Sequence, residues 1–578
     1  VKNFTLYIFL FYSYTLKLNA QAINLKIIPP AKKCVTSKLN YQKKFSSKTL
    51  ALKEVDNVLK TLHYKGYLLA TLDTIVSDSL TITARITENN YYKWAYLKLG
   101  NLNPTLASKI GISEKLYFKK LFNYKEVAKS FEKIISYYEN NGFPFASVNL
   151  DSVEIKDNFI SAVLNVQKGK LFKIDSITII GNAKVNKQFL YKYLSIKPNM
   201  PFNEESIKSI SNKVKQLPFV TEKQAQLVRL TNKTNTLILF LDKKNASQFD
   251  GIIGFLPDAT TKKTVVTGDI KLKLVNGIFR NGETFDIQWR RLQSQTTDGK
   301  ARITYPYLFA TPVGIDYSIK IYKLDTTFID INNNIGLQYY FSGLNNFKVF
   351  YKQRNTNLIS TSGYSLITTL PQFADITTQS YGLGFYLEKL NYKYNPRKGI
   401  VVNINVQTGN RTIKKNPKVN ELAYSNLLLR SSQYQVESDL SLYVPIYNNT
   451  ILRFGLQGNS VFGNSTIFKN ELFRIGGLRT LRGFDEESIY ASTYVIPTLE
   501  YRFLFAQNSN LFLFAEGAWY ENTSNNLYLK DTPLSVGAGI NFETKAGILN
   551  LNYAIGNQFG SGFDPRSGKI HFGLTALF

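Results

Sequence analysis

From about residue 248 to Phe578, apolar and polar residues alternate one by one, and no stripe of helical spacing interrupts them. In Ile548–Ile555, Leu549, Leu551, Tyr553 and Ile555 alternate with Asn550, Asn552 and Ala554. In Gln433–Val444, Tyr434, Val436, Leu440, Leu442 and Val444 alternate with Gln433, Gln435, Glu437, Asp439 and Ser441; Ile400–Gln407 reads the same way. A period of two is the mark of a strand with one apolar and one polar face. A soluble sandwich would also alternate, so length has to decide. A membrane strand with its turn takes about 20 residues, so this region holds about 16 antiparallel strands, an even number suited to a membrane all-β barrel. A soluble β domain of this size would ordinarily split in two.

The bulk composition agrees. Apolar residues make up 44% of the 578, yet mean hydropathy is −0.17, so they are interleaved rather than gathered. Beyond the first 22 residues no run of 18 or more apolar residues occurs, so a membrane crossing would have to be a closed barrel, which satisfies every backbone hydrogen bond in lipid. Tyr (37) and Phe (40) dominate the aromatics, as strands and interfacial girdles require. Asn276-Gly277 and Asn281-Gly282 supply tight-turn chemistry. At the end of the sequence Ile570, Phe572, Leu574, Ala576 and Phe578 share one face; an exposed edge so apolar would aggregate unless paired with the first strand.

Residues 1–22 read as a signal peptide: Lys2, an apolar-aromatic run from Phe4 to Leu18, then Ala20-Gln21-Ala22. Residues 23–247 repeat themselves. Helical stripes at Leu52, Val55, Val58, Leu59 and Leu62, at Val127, Phe131, Ile134, Ile135 and Tyr138, and at Ile207, Ile210, Val214 and Leu217 stop at Gly66, Gly142 and Pro218. These stops are each 76 residues apart, and strand-like runs follow them. The period predicts three α+β modules, at 23–90, 91–169 and 170–247, ahead of a barrel at 248–578; one larger α+β domain is the alternative. In the first, a polar stretch holding Asp73 and Asp78 precedes the strand Leu80–Ile86.

The formal charge of +30 is spread along the chain rather than gathered into a stripe with stacking aromatics, so no nucleic-acid partner is expected; lumen-facing charges and anionic lipid are the plainer explanation. One cysteine, Cys34, and two histidines leave no intrachain disulfide and little material for a metal site, so neither metal nor cofactor is expected. The sole barrel histidine, His571, gives a Ser/His hydrolase no setting, and no catalytic residue is assigned.

Gly476-Gly477-Leu478-Arg479-Thr480-Leu481-Arg482-Gly483-Phe484 resembles the signature of the outer-membrane assembly superfamily, the BamA/TamA and two-partner-transporter kind. There a Gly pair and an Arg-Gly-aromatic triplet ride on the sixth extracellular loop, folded back into the lumen. Leu513–Trp519 resembles the family strand F-x-D-x-G, with Glu516 where Asp is usual, and Asn395–Gly399 resembles its P-x-x-G approach to a middle strand. The three repeats resemble POTRA modules, strand-helix-helix-strand-strand, in a TamA-like layout. The resemblance implies that Gly476, Gly477, Leu481, Arg482, Gly483 and Phe484 form the lumenal loop and that Arg482 reaches Glu516 on the wall. It implies that Phe572, Leu574 and Phe578 form a terminal-strand assembly signal. It further implies an outer-membrane location with the modules in the periplasm, and a non-enzymatic role in inserting or translocating unfolded outer-membrane or secreted client proteins. Partners would be those clients, outer-membrane lipids and accessory assembly subunits. A two-partner-type secretion pore or a passive outer-membrane channel is the alternative. Glu500 and Arg502 read as lumen-facing structural charges.

Overall fold

The computed structural model describes residues 22–29, 34–231, 233–257, 264–293, 296–393, 395–525, 528–544 and 547–577. Residues 1–21 of the expected signal segment and Phe578 lie outside the described residues. Two compact units emerge: one runs through Lys173 and takes in Pro201–Glu204, the other comprises Ile174–Met200 and Glu205 onward.

The first unit holds two sheets. One has the strand order Lys44–Phe45, Ile23–Ile28, Thr81–Thr87, Thr71–Ser77. The helix Lys48–Tyr64 covers it, started by Ser47, whose hydroxyl accepts from the Leu50 amide at 3.3 Å. It buries Ala51, Val55, Val58 and Leu62, while Leu52, expected on the stripe, is exposed. Ala51 faces the sheet in its place. Where the strand-helix-helix order calls for a first helix, the described residues form only a 3-10 turn, Thr36–Lys38. There the Val35 and Thr36 amides donate to the Glu88 carboxylate. The polar stretch with Asp73 forms the edge strand Thr71–Ser77, nearly all of it exposed. With neither face covered, its sequence carries no alternation. The second sheet, ordered Lys93–Lys98, Phe159–Gln167, Ser147–Lys156, packs on the helices Pro104–Lys109 and Tyr124–Glu139, which bury Leu106, Val127, Ile134 and Tyr138 around Trp94.

The second unit begins with a third sheet, ordered Val220–Arg229, Thr236–Lys243, Ser176–Ile180, with the helices Lys187–Tyr193 and Glu204–Gln216. It then closes into a barrel. Among the described residues, eighteen strand segments ring the wall; Trp519–Asn522 extends Asn510–Gly517, the thirteenth strand, and Leu529–Asp531 leads into Leu534–Thr544, the fourteenth, which leaves 16 antiparallel wall strands. The pairing is nearest-neighbour throughout, from Gln248–Pro257 to Lys569–Leu577.

The wall is inside out by the standard of a soluble protein. Leu337, Tyr339, Phe347, Val349, Tyr381, Leu383, Tyr501 and Leu513 point outward and are exposed, whereas Asp316, Asp330, Gln338, Thr356, Arg411 and Glu500 are buried on the inner face. Such an exterior is stable only against lipid. The two expected turn signals, Asn276-Gly277 and Asn281-Gly282, flank a single connection, in which Glu283 accepts from the amides of Ile278, Phe279 and Asn281 at 2.8–2.9 Å.

Candidate functional site: the lumenal loop and its wall partners

The connection between the eleventh strand, Thr450–Gly463, and the twelfth, Thr493–Leu504, carries the Gly-Gly and Arg-Gly-Phe motifs. Its two limbs pair as Phe473–Ile475 with Ile489–Ala491, and the segment between them forms the loop tip. The Gly476 amide donates to the Thr480 hydroxyl at 2.8 Å and the Gly477 amide to the Leu481 carbonyl at 3.0 Å, which turns the chain tightly. Leu481 and Phe484 then enter an apolar cluster with Ile475, Ile489, Tyr494 and Tyr520. Gly483 has φ +87°, and a Cβ there would lie 2.8 Å from the backbone nitrogen of Gly556 on the fifteenth strand, Gly547–Asn557. Only glycine lets the tip sit against the wall this closely.

This seating delivers Arg482 to two wall carboxylates. Glu516, on Asn510–Gly517, accepts from the Arg482 backbone amide (2.8 Å) and Nε (2.8 Å), and its Oε1 lies 2.6 Å from Nη2. Glu500, on the twelfth strand, sits 3.4 Å from Nη1 and Nη2. The guanidinium carbon lies 3.5 Å from the centre of the Phe514 ring. Glu500, Phe514 and Glu516 converge because alternation turns all three inward and Glu500 stands directly opposite Phe514 in the ladder. The longer arm of glutamate, relative to the usual aspartate, is taken up by gripping the loop backbone as well as the side chain. Glu500 is also 2.6 Å from Arg502 Nε and 3.6 Å from Arg453 Nη1, so three guanidiniums share it. Sequence reading assigned Glu500 only a structural charge; its inward parity, shared with Arg502, was the available signal.

A second attachment was not foreseen. Glu471, at the root of the loop, makes a two-point pair with Arg411 of the ninth strand, Gly399–Ile413, with both contacts at 2.7 Å. Gln433 Nε2 and the Phe468 amide also donate to Glu471, each at 2.8 Å, and Arg411 and Glu471 are both nearly inaccessible to water. No sequence motif links residues 60 apart, and only the fold of the loop brings them together.

On the last strand, Phe572 and Leu574 face outward and are exposed, as is Ile570.

A closed membrane barrel, occupied by its own inward-folded loop and preceded by α/β modules, defines a class of outer-membrane protein. A family model described as the Omp85 superfamily domain matches residues 277–578, and this chain belongs to that superfamily. A second, the POTRA model described as a surface antigen variable number repeat, matches residues 172–242. The barrel therefore sits in the outer membrane and the POTRA region in the periplasm. The chain is 23% identical over 358 residues to the outer membrane protein assembly factor BamA of Buchnera aphidicola, covering 60% of this chain and 53% of that one. It thus matches about half of that relative's length. Among solved structures it shares its fold with CdiB from Escherichia coli (TM-score 0.53, 12% identity, 92% of this chain and 97% of that one). CdiB from Acinetobacter baumannii is similar too (TM-score 0.52, 13% identity, 84% and 90%).

Proposed function

We propose that this protein inserts or translocates other polypeptides at the outer membrane, binding them first through its periplasmic modules, and that it does so without covalent chemistry. The observation that carries this reading is the seam of the barrel. The first strand pairs with the second along its whole length, Gln248–Pro257, but among the described residues it pairs with the last strand only at Gln248–Leu577 and Phe249–Ala576. Backbone groups left unpaired in lipid cost several kcal/mol each. An incoming strand would satisfy them by adding to the open edge. Edge strands in the modules, Thr71–Ser77 and Val220–Arg229, offer the same chemistry to an extended client. The relative named as an assembly factor supports the reading. A passive channel is disfavoured by the loop tip inside the lumen.

The test is a lock. Phe249→Cys with Ala576→Cys, in a Cys34→Ser background, should form a disulfide that closes the seam. In liposomes the reduced protein should raise the folding yield of an added unfolded barrel client, and the oxidised one should not. Equal yields from both forms would sink the proposal.

A further inference from the structure

We propose that Arg290, on the third wall strand Thr284–Gln293, is a second anchor of the lumenal loop, and that with Arg482 it makes the loop a tie across the barrel seam. Arg290 Nη1 lies 2.9 Å from Glu486, and its Nη2 contacts Glu487 and reaches Asp298 on the neighbouring fourth strand, Thr296–Tyr305, at 3.1 Å. Arg474, in the descending limb, faces Glu487 at 3.6 Å and lies 3.4 Å above the Tyr322 ring. Arg479 Nη1, in the tip, donates to Gln288 of the same third strand at 3.1 Å. The loop therefore holds the N-terminal side of the wall, at the third strand, as well as the C-terminal side, at the twelfth and thirteenth.

The seam lies between these attachments. Running from the thirteenth strand to the third crosses the fourteenth, fifteenth, sixteenth, first and second, so the weakly paired first and sixteenth strands fall within the spanned arc. Glu486 lies only four positions beyond Arg482, and a fully extended link of that length reaches about 14 Å. The arc cannot widen as a body while both ends hold. The two ends are not equal. Arg482 and its carboxylates are buried, whereas Glu486 and Glu487 keep 30% and 24% of their side-chain surface. Water and salt weaken a partly exposed pair far more than a buried one. The Arg290 end is thus the one that releases, while Arg482 keeps the loop seated.

This inference rests on the seam reading above, and its test uses no client, so the two can fail separately. Spin labels are placed at outward-facing Ile287 and Phe572, after Ile287→Cys, Phe572→Cys and Cys34→Ser, and inter-label distances are measured on the full chain in liposomes. Arg290→Gln should raise the longer-distance population at least twofold while heat-modifiable gel mobility is kept. Glu486→Gln/Glu487→Gln should do the same, and the triple variant should fall well short of the sum of the two, as members of one network do. High salt should mimic the variants in the parent and have a smaller effect in the triple. Unchanged distances in all variants, or effects of the two sides that add, would overturn the proposal. Should Arg290→Gln fail to fold, the loop pair, whose glutamates keep solvent contact, decides by the same criteria.

Discussion

Arg482 shows what a single side chain contributes here. Its guanidinium sits between Glu516, Glu500 and the Phe514 ring, with a tenth of its surface exposed. Removing one member of such a buried pair strands the remaining charge, at a cost of about 3–5 kcal/mol. Arg482→Ala should therefore lower the temperature at which the barrel loses its compact gel mobility, and client assembly should fall with it. Unchanged mobility together with unchanged assembly would remove the clamp role. Glu88 makes a pH-dependent case in the first module. Burial alone would raise its carboxyl, but hydrogen bonds from Thr36 and Val35 hold it below the usual range. A carboxylate depressed in the folded state stabilises above its unfolded pKa, and that contribution disappears as pH falls through the folded one. Glu88→Gln should cost about 1–3 kcal/mol at neutral pH. The gap to the parent should close in acid, as read by hydrogen exchange around Thr36.

At the scale of elements, the short helix Lys187–Tyr193 fastens the third module to the barrel mouth. Phe189 stands edge-on to Tyr307, 5.7 Å between centres, and against Gly282, where an added Cβ would lie 2.7 Å from its ring. The Asn186 amide donates to the Arg280 carbonyl at 2.9 Å, and the Asn276 side chain to the Lys184 carbonyl at 3.2 Å. Phe189→Ala should cost about 3–5 kcal/mol of packing and speed amide exchange in both Lys187–Tyr193 and the 276–283 connection. Faster exchange in the helix alone would argue against coupling. Elements differed in how legible they were. The helix Tyr124–Glu139 buries Val127, Ile134 and Tyr138 of its expected stripe because a covered helix needs a periodic apolar face. The edge strand Thr71–Ser77 was missed because backbone pairing with a neighbour, not side-chain burial, holds it in place.

For the whole molecule, the division into two units makes a prediction of its own. Residues 23–173 carry two closed cores around Leu62 and Trp94. Expressed alone, they should be soluble and give a mixed α/β circular-dichroism spectrum with a cooperative melt; an unfolded spectrum would count against the boundary. The alternation after residue 248, taken with the length of that region, determined the barrel and its strand number, because lipid outside and water inside demand opposite chemistry on the two faces of every strand. The Gly-Gly and Arg-Gly-Phe motif likewise marked the loop, and parity turned Glu516 inward. The sequence could not say that Glu500 joins that clamp, that Glu471 meets Arg411, or that Arg290 takes the far side of the loop. Those contacts join residues brought together only when the sheet closes and the loop turns into it, and no local periodicity records a distance measured across a lumen.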